Sequence, residues 1–364
     1  MVQVSTGLEG VIAAATVLSD VDGQAGRLTI RGWAVEDLAG HARFEDAVHL
    51  LLDGFFDDLL ADLAPALGEA RARAFAEIAA LDDSLAARDP YDAMRALLAR
   101  LPDGDSLRDA LVLAVAPAVF TAAVLRRRQG LEAVAPDPAL PHAADVLRMI
   151  RDAAPTDGEA RALDAYLVTV CDHGLNASTF AARVAASTRA GLGSAVLAGL
   201  STLKGPLHGG APGPVVDMLD AIGTAGNAVP WLEAALDAGE RLMGFGHRIY
   251  RVRDPRADAL KAALSRLSKS AGALPGRLAL AEAVERAALD ILRRRKPDRP
   301  LETNVEFYTA LLLEALGLPP EAFTCVFAAG RTAGWIAHAR EQQASGKLIR
   351  PQSVYVGPRP RAAA

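Results

Sequence analysis

A mainly α-helical fold with one small N-terminal β-hairpin is what this sequence predicts, and three observations predict it. Alanine and leucine dominate, while aromatic residues make up only 5% of the chain; Ala and Leu lose little on entering a helix. Apolar residues recur with a helical period along most of the chain, starting with Phe44, Ala47, Val48, Leu51 and Leu52 at i, i+3, i+4, i+7 and i+8. The exception is Val17 to Ile30, where Asp22-Gly23 sits between short apolar stretches. An Asp-Gly pair favours the positive φ angles of a tight hairpin turn.

The elements follow in order. Gly54 ends the first periodic helix, and residues 57–82 and 90–101 predict further helices. The uncharged run Ala110 to Leu125 is shorter than the roughly 18 residues a membrane span needs and contains Pro117, so it predicts a buried core or interface helix. Arg128 to His142 is richer in Pro and Gly and predicts a loop. Helix resumes after Gly158, with Leu163 to Val170 running into Cys171-Asp172-His173. Ser178 to Leu203 predicts one long helix of small residues, ended by Gly205-Pro206-Leu207-His208-Gly209-Gly210. Val215 to Leu292 is helical, interrupted near Gly244 and again between Gly272 and Gly276; Leu280, Val284, Ala287 and Ile291 mark its apolar stripe. Phe307 to Leu316 and Glu321 to Ser345 close the chain. No repeat of 20–50 residues is visible, and 364 residues suit two or three domains.

Composition narrows the function. A net charge of -5 argues against nucleic acid as the main partner, since phosphate binding needs a basic face. Cys171 and Cys325 stand far apart in apolar runs, which predicts two buried thiols in a reducing compartment. The N-terminus lacks a basic stretch followed by an apolar core, so a cytoplasmic location is expected. No His pair has i, i+4 spacing with a nearby acid, so no metal site is expected.

Three of the seven histidines stand at helix breaks: His173, His208 and His247. Glycines flank the last two, in Leu207-His208-Gly209-Gly210 and Gly244-Phe245-Gly246-His247-Arg248, and allow backbone and ligand to approach closely. Turn-filling or helix capping would account for any one of them equally well. Gly244-Phe245-Gly246 lacks the preceding strand and third glycine of a dinucleotide fingerprint. Arg256, Arg331 and Arg350 form the second signal: a guanidinium fork fits a carboxylate with two hydrogen bonds, so arginines near histidines suit a small dicarboxylate. Each alone reads as a surface residue. Glu306 is a candidate general base, but Thr303 and Glu306 also have the T-x-x-E spacing of a capping box. The run Arg293-Arg294-Arg295-Lys296 complements a helix C-terminus or offers a landing site for phosphates.

Together these motifs resemble the citrate synthase family across nearly the whole chain. The resemblance rests on Gly7-Leu8-Glu9-Gly10-Val11, Leu28-Thr29-Ile30-Arg31-Gly32, Asp172-His173 with Asn176-Ala177-Ser178-Thr179, and the two glycine–histidine motifs above. Asp254-Pro255-Arg256, Asn304-Val305-Glu306-Phe307-Tyr308, Gly330-Arg331-Thr332 and Arg350-Pro351 complete it. It implies a helical homodimer with a large domain (1–214 and 311–364) and a small one (215–310) closing over the active-site cleft. It implies that His208 hydrogen-bonds the thioester carbonyl, that Glu306 removes the acyl α-proton, and that His247 polarises the keto group of oxaloacetate. His173, Arg256, Arg331 and Arg350 would hold oxaloacetate, Arg350 coming from the neighbouring subunit. Gly244, Phe245, Gly246, Arg251, Arg253 and Arg294 are the candidate contacts for coenzyme A, which is a co-substrate; no permanently bound cofactor is implied.

The sequence departs from the family pattern in three places. Glu306 stands where the family usually has Asp, Gly174-Leu175 follows His173, and Ala211-Pro212-Gly213 follows the His-Gly-Gly motif. Three activities are compatible: citrate synthase with acetyl-CoA, 2-methylcitrate synthase with propionyl-CoA, and a silent paralogue that binds CoA or oxaloacetate. One methylene in an apolar pocket is worth only about 1–3 kcal/mol, so the donor is not legible from the sequence.

Overall fold

The computed structural model describes residues 6–8, 10–208, 213–247, 249–271 and 275–358. Of the motif residues above, Glu9, Gly209, Gly210 and Arg248 lie outside these ranges, as do Ala211 and Pro212. Among the described residues the chain forms sixteen α-helices and one three-stranded antiparallel sheet.

The sheet contains β1 (Ser19–Asp22), β2 (Arg27–Ile30) and β3 (Trp33–Ala34) in sequential order. In the first pair Ser19 lies opposite Ile30 and Asp22 opposite Arg27. The expected hairpin is present, but its turn is not the tight Asp-Gly type. Residues 23–26 separate the strands, and the Asp22 carboxylate accepts from the amides of Gln24 (3.1 Å) and Ala25 (2.8 Å). The left-handed residue is Gly26, with φ +65°. Gly23 serves a different end: a Cβ there would lie 2.4 Å from the Ile249 carbonyl oxygen. Its own carbonyl accepts from the Arg251 amide at 2.8 Å, so the hairpin tip docks beside the His247 motif.

The helices α1 (Val35–His41), α2 (Phe44–Leu52), α3 (Ala64–Ala76), α4 (Asp83–Ala86) and α5 (Pro90–Leu98) come next. Residues 57–63, expected as helix, are irregular; α3 begins only at Ala64, with Pro65 in its first turn, where a missing N–H costs nothing. The uncharged run becomes α6 (Leu107–Arg128). Ser106 and Asp109 form a reciprocal capping box at its start, and Arg126, Arg127 and Arg128 complement the dipole at its end. By length and apolarity α6 passes as a membrane span, yet 83% of its most apolar window is buried inside the molecule, as a core helix requires.

The loop expected before His142 leads into α7 (His142–Arg151), followed by α8 (Asp157–Val170). Ser178 to Leu203 is two helices, α9 (Ala177–Ser187) and α10 (Leu192–Leu203), not one. Arg189 turns the chain with φ +65°, and Gly191 occupies the N-cap of α10. This break lets α9 and α10 pack side by side.

Downstream are α11 (Gly213–Ile222), α12 (Ala228–Asp237), α13 (Pro255–Ala271), α14 (Pro275–Arg295), α15 (Val305–Ala315) and α16 (Phe323–Ser345). The interruption expected near Gly244 spans residues 238–254. Within the α14 stripe, Val284 and Ile291 are at most 1% exposed. The core centres on α16, which packs against α2, α6, α8, α9 and α10. Helices α11, α12 and α14 form a second group, in which α11 packs on α15 and α15 in turn on α13 and α8.

Candidate active site

The three motif histidines lie on three irregular segments. His173 sits between α8 and α9, His208 in the turn after α10, and His247 in the 238–254 segment. Short links bring them together. The His173 and His247 rings stand 5.7 Å apart, edge to face. Tyr250 joins both: its hydroxyl is 3.1 Å from His173 Nε2 and its ring centroid 4.8 Å from that of His247.

The local fold of the His247 segment explains its glycines. Gly244 and Gly246 both adopt φ +84°, which L side chains avoid. A Cβ at Gly244 would lie 2.8 Å from Phe307 Cβ, and one at Gly246 2.8 Å from Leu301 Cδ2. The segment is zipped onto residues 302–304: the Gly246 amide donates to the Glu302 carbonyl (2.7 Å) and the Asn304 amide to the Gly244 carbonyl (3.0 Å). Phe245 is buried against Phe307, ring to ring at 5.3 Å. Thus Gly244, Phe245 and Gly246 fix His247 relative to Glu306.

Glu306 opens α15, but not through the expected capping box. Asn304 is the N-cap, and its side chain accepts from the Glu306 amide at 3.1 Å. Thr303 instead donates its hydroxyl to Glu285 (2.8 Å). The Glu306 carboxylate is therefore released from capping. Burial pushes its pKa up to about 7; Asp254 adds to the rise, while Arg256, Arg241 and Asn304 oppose it. A carboxyl poised there suits proton transfer near neutral pH.

Arg256 and Arg331 are 4% and 1% exposed. Asp254 grips Arg256 with both oxygens, at 3.1 Å to Nε and 2.8 Å to Nη2, and also accepts from the Val305 amide at the start of α15. Arg331, on α16, donates its Nε to the Val170 carbonyl and lies over the Phe327 ring. Its Nη2 is buried with no hydrogen-bond partner. Burial lowers the Arg331 pKa to about 10, which leaves it charged at pH 7. His173 is held well below the usual histidine range by burial first, then by Arg256, Arg331, His247 and His208. A neutral histidine among buried cations, one with a free donor, is built for a dianion.

The His247 ring has donors on both sides: the amides of Ile249 and Tyr250 face its Nδ1 at 3.1 Å, and Arg256 Nη2 lies 3.4 Å from its Nε2. His208 places Nε2 2.8 Å from the Ser178 hydroxyl. Ser178 also receives the Trp335 indole N–H (3.2 Å) and donates its hydroxyl to Asn176 Oδ1 (2.8 Å).

The remaining candidates fall elsewhere. Arg350 is exposed beyond α16 in a segment without regular structure. Arg253 is committed to Asp258 and Glu285, and Arg294 is an exposed partner of Glu233 (3.4 Å). Among the described residues Arg251 makes no ion pair, and it lines a surface cavity of about 490 Å³ beside the hairpin tip. A second cavity, of about 350 Å³, lies between α1, α8 and α13. Neither is lined by the motif histidines, Arg256, Arg331 or Glu306. Sequence reasoning gave no role to Tyr250, Ser178 or Asp254. Ser178 and Asp254 lie inside quoted motifs and Tyr250 just beyond one, but the role of Ser178 depends on Trp335 and His208 meeting in space.

Comparison with known proteins agrees with this arrangement. The family model for the citrate synthase C-terminal domain matches residues 7–352. A putative citrate synthase 2 from Mycobacterium tuberculosis is 40% identical over 98% of this chain and 93% of its own. A 2-methylcitrate synthase from the same species is 34% identical over 97% of this chain and 91% of its own. Among solved structures, the ternary complex of carboxymethyl coenzyme A and oxaloacetate with citrate synthase from Thermoplasma acidophilum aligns with a TM-score of 0.84 at 28% identity. The alignment covers 100% of this chain and 98% of that one.

Proposed function

Because the chain belongs to the citrate synthase family, we propose that it condenses acetyl-CoA with oxaloacetate and water to give citrate and coenzyme A. The observation that carries this reading is the buried, unpartnered Nη2 of Arg331 in a site shared with Arg256 and neutral His173. An unmet buried donor on a charged group is costly, and a substrate carboxylate would satisfy it. The solved relative holding oxaloacetate and a CoA analogue supports the same pair of ligands.

The residues then divide the chemistry. Arg256 and Arg331 take the carboxylates of oxaloacetate, and His173 helps to hold it. Glu306 removes a proton from the acyl α-carbon. His208 hydrogen-bonds the thioester oxygen as negative charge grows there. The enol carbon attacks the keto carbon of oxaloacetate, and His247 polarises the keto oxygen and protonates the new alkoxide. Water then cleaves the thioester and releases CoA. Base and donor act together because the α-proton is weakly acidic; a positioned base contributes about 10²–10⁴-fold and an oxyanion donor about 3 kcal/mol.

Residues 215–310 form the small domain in this reading, and closure over the cleft shuts out water. The protein works as a cytoplasmic homodimer, with exposed Arg350 reaching the partner's oxaloacetate site. Of the basic candidates for CoA, Arg251 is favoured, since Arg253 and Arg294 have acidic partners.

Propionyl-CoA as donor, giving 2-methylcitrate, is the second reading, and the 2-methylcitrate synthase relative supports it. Thiol release with oxaloacetate plus either donor tests both. Release that requires oxaloacetate is expected, faster with acetyl-CoA. Faster release with propionyl-CoA favours the second reading. No release with either, from folded protein, leaves a silent binding paralogue.

A further inference from the structure

Behind His173 lies a buried polar relay that takes no part in the steps above. Arg183, on α9, pairs with Glu341 and donates from Nη1 to His338 Nδ1 at 3.0 Å. A guanidinium only donates, so Nδ1 accepts and the His338 proton sits on Nε2. That nitrogen lies 3.2 Å from Asp172 Oδ1 and 3.3 Å from Oδ2. The Ser19 hydroxyl of β1 donates to Oδ2 as well, while Oδ1 keeps no hydrogen bond of its own. His338 and Asp172 are both 0% exposed.

The charges in this region balance in pairs except one. Arg183 is offset by Glu341, and Arg256 by Asp254. Among the described residues Arg331 makes no ion pair, and Asp172 is the leading opposite charge acting on it. A buried guanidinium without a nearby anion is strongly disfavoured. Asp172, two residues after the Val170 carbonyl that accepts from Arg331 Nε, therefore stands as its counter-charge without occupying its free donor.

The sequence of α16 builds this contact. Gly330, Gly334 and His338 fall at i, i+4 and i+8 on one helix face. A Cβ on Gly330 would lie 2.4 Å from Val170 Cγ2, and one on Gly334 2.2 Å from the Cys171 carbonyl oxygen. Two glycines thus let the helix approach the end of α8 closely enough for His338 to reach Asp172.

We infer that His338 is a positioning residue for oxaloacetate: held by Arg183, it fixes the Asp172 carboxylate as the buried counter-charge of Arg331 and so keeps that arginine ready for a substrate carboxylate. This rests on the reading of Arg331 as an oxaloacetate contact. The residue touches no substrate itself. Its effect falls on oxaloacetate binding rather than on the proton transfers at Glu306 and His208.

The test compares His338→Leu with His338→Gln, whose amide can both accept from Arg183 and donate to Asp172. Oxaloacetate binding is measured by calorimetry without acyl-CoA, alongside steady-state kinetics. Leucine is expected to weaken binding about tenfold or more, the scale of one charge-assisted hydrogen bond. The KM for oxaloacetate should rise with it, while kcat and the KM for acyl-CoA shift less. Glutamine should restore most of the loss. If the leucine variant does not fold, Arg183→Met tests the other end of the relay, with weaker oxaloacetate binding expected. Native-like binding in the folded variants, or glutamine as poor as leucine, overturns the inference. Absence of oxaloacetate binding by the native chain overturns the functional reading beneath it; native binding with an unaffected leucine variant overturns the relay alone.

Discussion

Two regions of this molecule carry the same electrostatic signature and do different things. The first is the seam of residues 244–256 and 303–306 with His173 and Arg331. The second is a buried cluster of Glu45, Arg71, His142, Asp145 and Asp164, where α2, α3, α7 and α8 meet. In each, burial pushes one carboxyl up to about 7, Glu306 in the first and Asp164 in the second. In each, burial holds a histidine well below its usual range, His173 or His142. Each also contains a buried arginine with one unpartnered nitrogen, Arg331 or Arg71.

The difference lies in where the side chains come from and what already occupies them. In the second cluster the carboxylates serve helix starts: Asp164 accepts from the Phe44 amide (3.0 Å) and Glu45 from the His142 amide (2.6 Å). Asp145 holds Arg71 at 2.7 Å, and the His142 ring stacks on Phe44 with centroids 4.2 Å apart. These groups tie helices together. In the first region the side chains other than Arg331 come from loops and helix ends, and the carboxylate of Glu306 caps no helix. A shifted pKa locates a buried charge; only convergence with unoccupied donors makes it an active site.

Four changes would break or sharpen this contrast. Glu306→Gln should show the largest effect, a fall in kcat of about 10²–10⁴-fold with the melting temperature unchanged or higher; loss of folding instead would make Glu306 a structural group. Arg71→Met should do the reverse, costing about 3 kcal/mol of stability by breaking a buried pair while kcat in the surviving folded protein stays native, as read from denaturant unfolding and thiol release. The third contrast is in pH. Glu306 must be ionised to act, so kcat/KM should fall as pH drops below about 7. Asp164 acts on stability: with its folded pKa above the unfolded value, the native state holds the extra proton, so stability declines as pH rises from about 4 to 7. Asp164→Asn should remove more than about 1 kcal/mol of that decline and leave the acid limb of the rate in place. An Asp164→Asn variant that lost the acid limb would assign it to the wrong carboxyl. The smallest effect belongs to Arg294→Ala. Its partner Glu233 is on the surface, where ion pairs are worth about 0–1 kcal/mol, and the KM for acyl-CoA should move less than about threefold. A larger rise would mark Arg294 as a phosphate contact.

Helical periodicity and composition determined the fold class, the buried α6, the α14 stripe and the hairpin, because these depend on local propensity and on which face is apolar. The motifs pointed to the family, with His173, His208, His247, Arg256 and Arg331 at motif positions and Glu306 where the family usually has Asp. Local pattern misled where a distant partner decided the outcome. Gly23 looks like a tight-turn residue, but its lack of a side chain answers to Ile249. Thr303 and Glu306 look like a capping box, but Glu285 takes the threonine and Asn304 takes the cap. Ser178 to Leu203 looks like one helix, but the chain turns at Arg189 so that two short helices can pack. Tertiary structure alone also decided the donors around His247, the unpartnered nitrogen of Arg331, and the path from Arg183 to Asp172. Periodicity reports what a residue does to its neighbours along the chain; hydrogen-bond valence and buried charge are settled by side chains that meet only in the folded molecule.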